Sequence, residues 1–309
     1  MPGRRMRVVV DNDFSGDPDG LVQLVHHALS PSVDLRLVIG SHLRPDDPFD
    51  PSGTTADNAA VLAREFLALA GRDDVPVQAG SNAGLADRTT PIASPAALAL
   101  VAEAMRDDVD TPLYVCAGAG LTEVASAWLI EPRIAERLTL VWIGGPEHPG
   151  LAVPPPNAMP VEYNLLIDVP AASVVFTDSS IPIWQVPRDA YRQVLASFAE
   201  LRLRMAEQGE LGARLFAALD GVRATSAEHG VDLEETYILG DSPLVLLTAL
   251  QSAFEPDPSS SRYVVRETPG IGDDGQYRPA PGGRPMRIWT ALDNRLVLED
   301  LYAKLALRR

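Results

Sequence analysis

The densest chemistry in the chain lies in ten consecutive residues: Asp11, Asn12, Asp13, Phe14, Ser15, Gly16, Asp17, Pro18, Asp19 and Gly20. Four carboxylates so close together repel one another unless a cation neutralises them. They are hard oxygen donors with no thiolate or clustered imidazole beside them, a donor set that favours Ca²⁺ or Mg²⁺. The plainer alternative is a solvated acidic turn in which Asp17 or Asp19 caps the helix that follows. An EF-hand is excluded, because the segment lacks the preceding helix and the terminal bidentate Glu of such a loop. A phosphatase with the first Asp as nucleophile also begins with a strand and a paired-Asp turn. It would need cationic groups to hold the transferring phosphoryl, and this turn contains no Lys or Arg.

To act together, these acids need a fixed element behind them. Residues 7–10 form a β-branched run that stops at Asp11, the pattern of a buried parallel strand whose carboxyl end delivers residues to a site. Apolar residues at helical spacing follow over 20–30, and 35–40 is another short apolar strand, giving a βαβ opening. The alternation continues with a helix over 54–70, a strand over 75–78, a helix over 95–106 and a strand over 113–117. A helix over 121–130 leads to a strand over 138–143, and 181–186 reads as one more strand. The expected fold is therefore α/β, an open and mostly parallel Rossmann-like sheet with helices on both faces. In such folds ligands sit in the crevice beyond the carboxyl ends of the strands. The turns at 11–20, 40–43, 118–122 and 144–145 should converge there. Residues 199–219 read as a helix capping the pocket, while 146–160 and 255–285, rich in Pro, Gly, Asp and Ser, read as loops.

The Asp-x-Asp turn after the first strand resembles the signature of the inosine-uridine preferring nucleoside hydrolase family, Asp-x-Asp-Pro-Gly-x-Asp-Asp. Here Phe14 and Ser15 replace Pro-Gly, and Pro18 separates Asp17 from Asp19 as a one-residue insertion. Further pieces follow in the family's order. Val115 to Glu123 is similar to its Thr-Gly-Pro-Leu-Thr-Asn turn, Gly144-Gly145 with Glu162-Tyr163-Asn164 to its Gly-Gly and Glu-Phe-Asn, and Gly240-Asp241-Ser242-Pro243-Leu244 to its His-Asp-Pro-Leu. Together they span residues 7 to about 250, and the combination is far more specific than any one part.

The resemblance implies one nucleoside hydrolase-like domain over 1–309 and a metal-dependent N-ribohydrolase that releases ribose and base through an oxocarbenium-like ribosyl cation. A divalent cation would hold the ribose hydroxyls and acidify a water. Asp13 would be general base and metal ligand, Asp19 and Asp241 carboxylate ligands, and Gly118 a carbonyl ligand. Asp17, Glu162 and Asn164 would hydrogen-bond ribose, and Asp11 would brace the turn. The resemblance also implies a homodimer or homotetramer. Many members place a His before the distal Asp to protonate the departing base; here that position is Gly240. The family's Asn after the second strand is also replaced, by Gly40-Ser41-His42-Leu43. His42, at a strand's carboxyl end, is the candidate substitute acid. The remaining histidines are weaker candidates: His26 and His27 fall in a helix pattern, His148 and His229 in loops.

Each piece has a plainer reading. Glu162 and Asn164, two apart, share a face if extended, which suits two surface polars as well as one ribose. Asp241 before an apolar run is a routine helix N-cap, Gly118 and Gly120 could serve a tight turn, and His42 could hold a loop. Trp184 and Tyr237 are candidates to stack on a base, though either could be core, and Trp142 reads as packing. A degenerate protein that keeps the ribose pocket without chemistry is a third class, but burying Asp13, Asp19 and Asp241 together without a cation is costly.

Composition narrows the partners. The chain has 309 residues, 46% of them hydrophobic and 22% charged, ordinary globular usage. Its net charge of −16 opposes binding to nucleic acid or anionic membranes. Lone Cys116 forms no internal disulfide and no multi-thiolate zinc site. No apolar run reaches membrane-spanning length, and residues 6–10 are too short for a secretory h-region, so a cytoplasmic location is expected; the resemblance implies a small nucleoside as the partner.

Overall fold

A computed structural model describes residues 6–228, 233–252, 254 and 260–308. The elements run in the order β1 (Met6–Asn12), α1 (Asp19–Ala28), β2 (Val33–Gly40), α2 (Thr55–Leu69), β3 (Val77–Ala79), α3 (Pro95–Ala104), β4 (Leu113–Ala117), α4 (Thr122–Ile130), β5 (Leu138–Ile143), α5 (Tyr163–Ile167), α6 (Val169–Ser173) and β6 (Ile183–Val186). They continue with α7 (Arg188–Tyr191), β7 (Leu195–Ser197), α8 (Phe198–Leu201), α9 (Gly209–Glu228), β8 (Thr236–Ile238), α10 (Pro243–Leu246), β9 (Arg262–Glu267), β10 (Gly270–Ile271), β11 (Tyr277–Arg278), β12 (Pro285–Ala291) and α11 (Asn294–Leu307).

The central sheet has eight strands in the order β3-β2-β1-β4-β5-β6-β12-β9. Every pairing is parallel except β12 with β9 at one edge. The chain reverses its direction of travel across the sheet between β1 and β4, the switch point beside which α/β folds open a ligand crevice. Strand β1 alternates between two cores: Val8 and Val10 join a cluster with α1, α2, α9, α10 and α11, while Val9 joins one with α3, α4 and α6. Helices thus cover both faces, as expected for a parallel sheet whose strands are apolar throughout.

Several expectations are corrected. The helix expected over 199–219 is broken into α8, a π-helical turn (Arg202–Ala206) and α9, with Gly209 at a positive φ of 72° making the break. The loop expected over 255–285 holds β9, β10 and β11; residues 255–259 and His229 lie outside the described residues. Glu162 and Asn164 do not share an extended segment. Glu162 is instead the N-cap of α5 and accepts from Leu165 N, so the helical step turns Asn164 another way.

Candidate active site

Asp11 and Asn12 are the last residues of β1, and Asp13 begins the turn that carries Asp17 to the start of α1. Beyond these strand ends lies a cavity of about 270 Å³. Its acidic wall is Asp13, Asp17, Asp19 and Asp241, and Gly118, Glu162 and Asn164 face them. Phe49, Ile143, Tyr163, Tyr191 and Ile238 supply apolar and aromatic surface. No Lys or Arg is among these lining residues.

Asp241 comes from far along the chain and docks on the first turn by two hydrogen bonds. Its backbone N donates to Asp19 Oδ2 (3.0 Å), and its Oδ2 accepts from Asn12 Nδ2 (2.8 Å). Its side chain does not cap α10, whose N-cap is Ser242, so the plain N-cap reading fails. Asn12 Oδ1 in turn accepts from Asp13 N (2.9 Å). Asp17 Oδ1 accepts from Asp19 N (3.2 Å) and from the Tyr237 hydroxyl (2.5 Å). Gly118 is required by this crowding. A Cβ there would stand 2.8 Å from both Asp241 carboxylate oxygens and would collide with the Asn12 amide.

Across the cavity, Glu162 Oε2 accepts from Gly145 N (2.7 Å) and Leu165 N (3.1 Å), and its Oε1 accepts from the Tyr191 hydroxyl (3.0 Å). Asn164 Nδ2 donates to the carbonyls of Gly118 (3.1 Å) and Ile143 (2.8 Å), tying α5 to the ends of β4 and β5. Gly145 sits at a φ of 85°, which favours glycine and aims its N–H at Glu162.

The electrostatics follow from burial. Asp13 and Asp19 are pushed well above the ordinary carboxylate range, by desolvation first and then by the charges of Asp241 and Asp17. Asp241 is pushed up to about 7 by burial, against the lowering effect of the Asn12 hydrogen bond. Burial raises Asp17 and Glu162 as well, offset in part by their hydrogen-bond donors. Asp11 lies just behind. It is pushed up to about 8 by burial, with one oxygen held by the Ser41 hydroxyl and Oδ2 buried without a partner among the described residues.

Among the described residues no three His, Cys, Asp or Glu side chains form a ready-made metal cage. The donor chemistry nevertheless fits a hard cation. Buried like charges raise one another, every candidate donor is an oxygen, and a positive ion among them would relieve the repulsion that lifts their proton affinity.

The structure does not bring His42 to this cavity. Its ring nitrogens lie 2.8 Å from Leu43 O and 2.9 Å from Thr122 Oγ1, and Thr122 Oγ1 donates to Asp168 Oδ2 (2.6 Å). His42 lines a neighbouring cavity of about 500 Å³ instead. Neither aromatic stacking candidate lines the acidic cavity: Trp184 packs on Tyr114 and Trp289, and Tyr237 packs edge-on to Phe198 and spends its hydroxyl on Asp17. Trp142 is core, its Nε1 donating to Ala119 O. Sequence reasoning missed Asn12, Phe49 and Tyr191. Tyr191 was within reach of the strand-end rule, since α7 begins two residues after β6.

The model of the inosine-uridine preferring nucleoside hydrolase family matches residues 8–268. The inosine-uridine preferring nucleoside hydrolase of Leishmania major is 40% identical over 95 residues, 29% of this chain, and that of Crithidia fasciculata is 41% identical over 83 residues, 25% of this chain. Those stretches span only 27% and 23% of the relatives' own lengths. Among solved structures, a plant nucleoside hydrolase superposes with a TM-score of 0.73 at 19% identity, over 98% of this chain and 99% of that one. The inosine-uridine preferring nucleoside hydrolase of Bacillus anthracis gives 0.68 at 18% identity, over 97% and 99%. The purine-preferring ribonucleoside hydrolase of Gardnerella vaginalis gives 0.70 at 16%, over 97% and 98%.

Proposed function

The chain belongs to the inosine-uridine preferring nucleoside hydrolase family, and we propose that it hydrolyses the N-glycosidic bond of a ribonucleoside, or a related N-riboside, to ribose and free base. One observation carries this reading. Asp241, 229 residues after Asn12, packs against the acids of the first turn at the sheet's switch point, with Glu162 and Asn164 across the same cavity. That is an acidic, oxygen-rich pocket of about 270 Å³ with an apolar rim.

In this reading Asp13, Asp19, Asp241 and the Gly118 carbonyl would hold a divalent cation, Ca²⁺ by preference. When bound, it supplies charge with which to grip ribose hydroxyls and acidify water. Asp13, which lines the cavity at the end of β1, takes a proton from the attacking water. Asp17, Glu162 and Asn164 orient the ribose, while Phe49, Tyr191 and Ile238 exclude water around the base. Gly240 offers no proton donor, so ribosides whose base departs readily are the expected substrates. Strand β12 completes the same sheet as β1, which supports one domain over 1–309. No helix among the described residues is long and apolar enough to cross a membrane. With the net charge of −16 this favours a small nucleoside partner over lipid or nucleic acid; a cytoplasmic homodimer or homotetramer completes the proposal.

The test is to incubate the protein with Ca²⁺ and a nucleoside panel and to assay reducing sugar. Ribose release lost on Asp13→Ala and on chelation supports the reading. Nucleoside binding without release would replace it with a degenerate ribose-binding protein, and phosphate release from monoesters with a phosphatase.

A further inference from the structure

Behind the acidic wall a line of buried polar side chains runs away from the cavity, none of them assigned a role above except Asn12. Gln23 and His27 are four residues apart on α1 and so project from one face of it. Asn12 Nδ2 lies 3.3 Å from Gln23 Oε1, Gln23 Nε2 lies 2.5 Å from His27 Nδ1, and His27 Nε2 lies 2.9 Å from Thr248 Oγ1. Thr248 Oγ1 donates to Leu244 O at 2.6 Å. All four side chains are wholly buried. The line therefore closes on the segment that carries Asp241.

The hydrogens of this line have one consistent assignment. The Thr248 hydroxyl spends its only hydrogen on Leu244 O, so it accepts from His27, and His27 carries its proton on Nε2. His27 Nδ1 then accepts from the Gln23 amide, and Gln23 Oε1 accepts from Asn12. The second hydrogen of Asn12 Nδ2 goes to Asp241 Oδ2, and Asn12 Oδ1 takes Asp13 N. Every donor and acceptor of the Asn12 amide is used, so the amide cannot flip without leaving buried groups unpaired. Burial, with the nearby charges of His26 and Lys304, holds His27 well below its ordinary range, which suits a neutral ring. Gly20 makes room for the line, since a Cβ there would stand about 3 Å from the Asn12 amide atoms.

We propose that His27 is a positioning residue: through Gln23 and Asn12 it fixes the orientation of the Asp241 carboxylate, and so sets the affinity of the acidic wall for a divalent cation. The inference rests on the proposed reading of Asp241 as a ligand. Groups that orient metal ligands from behind are typically worth about 10- to 100-fold in metal affinity. The relay here is two side chains longer, so a loss of about 10-fold is expected.

The experiment titrates Ca²⁺ alone into the metal-free protein by calorimetry, for wild type, His27→Phe, Gln23→Met and His27→Gln, with thermal unfolding recorded in chelator. His27→Phe and Gln23→Met should each bind Ca²⁺ about 10-fold more weakly. His27→Gln, which offers an acceptor and a donor of its own, should recover most of the affinity. Thr248→Val, a smaller change at the far end of the line, asks the same question should His27→Phe not fold. Folded variants that bind as tightly as wild type would leave His27 a core residue and overturn the inference alone. Wild type that binds neither Ca²⁺ nor Mg²⁺ would overturn the ligand reading of Asp241 and this inference with it.

Discussion

Replacing Asp241 by Asn should stabilise the metal-free fold while destroying its function. Holding the Asp241 carboxyl up to about 7 instead of its ordinary 3.8 corresponds to about 4 kcal/mol of penalty on the ionised, cation-free state. Between those two values the folded chain keeps a proton that the unfolded chain releases. The contribution of this carboxyl to stability is therefore most favourable in acid, falls as pH rises through that window, and bears the whole penalty above about pH 7. Asn removes the charge, keeps an oxygen for the Asn12 amide, and leaves the backbone N–H on Asp19 intact. Part of the penalty is shared with Asp13 and Asp19, so a gain of about 2 to 4 kcal/mol is expected. For a chain of this size that raises Tm by about 3 to 6 °C. The assay is scanning calorimetry in chelator at about pH 8, repeated with Ca²⁺. Ca²⁺ should raise the Tm of wild type by binding the folded state and should do much less for the variant. A metal-free Asp241→Asn protein that melts below wild type at that pH would refute the claim that uncompensated carboxylates dominate this wall.

Two further outcomes follow from the same geometry. Gly118→Ala places a methyl 2.8 Å from both Asp241 oxygens and should lower stability by about 1 to 3 kcal/mol. Ribose release should fall with it; unchanged Tm and turnover would mean that Asp241 does not pack against β4 as described. His42→Ala removes contacts to Leu43 O and Thr122 rather than a group in the cavity, so kcat/KM should fall by the same factor for ordinary nucleosides and for an activated nitrophenyl riboside. A loss confined to the poor leaving groups would restore His42 as their proton donor.

What the chain revealed before its structure was known divides along a physical line. Strands β4 and β5 were read to the residue, and β1, β2 and β6 to within two, because a parallel strand buried on both faces is a short apolar run bounded by turn residues. Strand β9 was missed because it lies at the sheet's edge, where Arg262, Val265 and Glu267 are exposed and the apolar run shrinks to Tyr263-Val264-Val265 between charged residues. Helix α11 escaped for a related reason: its core positions are few, with Val297, Leu301, Tyr302 and Leu305 buried and charged residues between them. The acids of the first turn were legible as chemistry because charge density at a strand end needs no knowledge of distant contacts.

The partners of those acids were legible only in part, because their role depends on what the fold brings alongside. Nothing in Asp11-Asn12-Asp13 says that Asn12 is the residue on which Asp241 docks; the bond exists only once β1 and the turn before α10 share one end of the sheet. Glu162 and Asn164 show the opposite case. Both line the cavity, but the spacing argument for a shared face fails, since an N-cap and the second residue of a helix do not face the same way. They still meet the cavity because Glu162 seizes the N–H of Gly145 at the end of β5 while Asn164 bridges the carbonyls of Gly118 and Ile143. The wall opposite the acids is thus set less by where α5 points than by unpaired backbone groups at the ends of β4 and β5. A site residue in such a sheet is better sought by asking which side chain can satisfy the strand ends than by counting along its own segment.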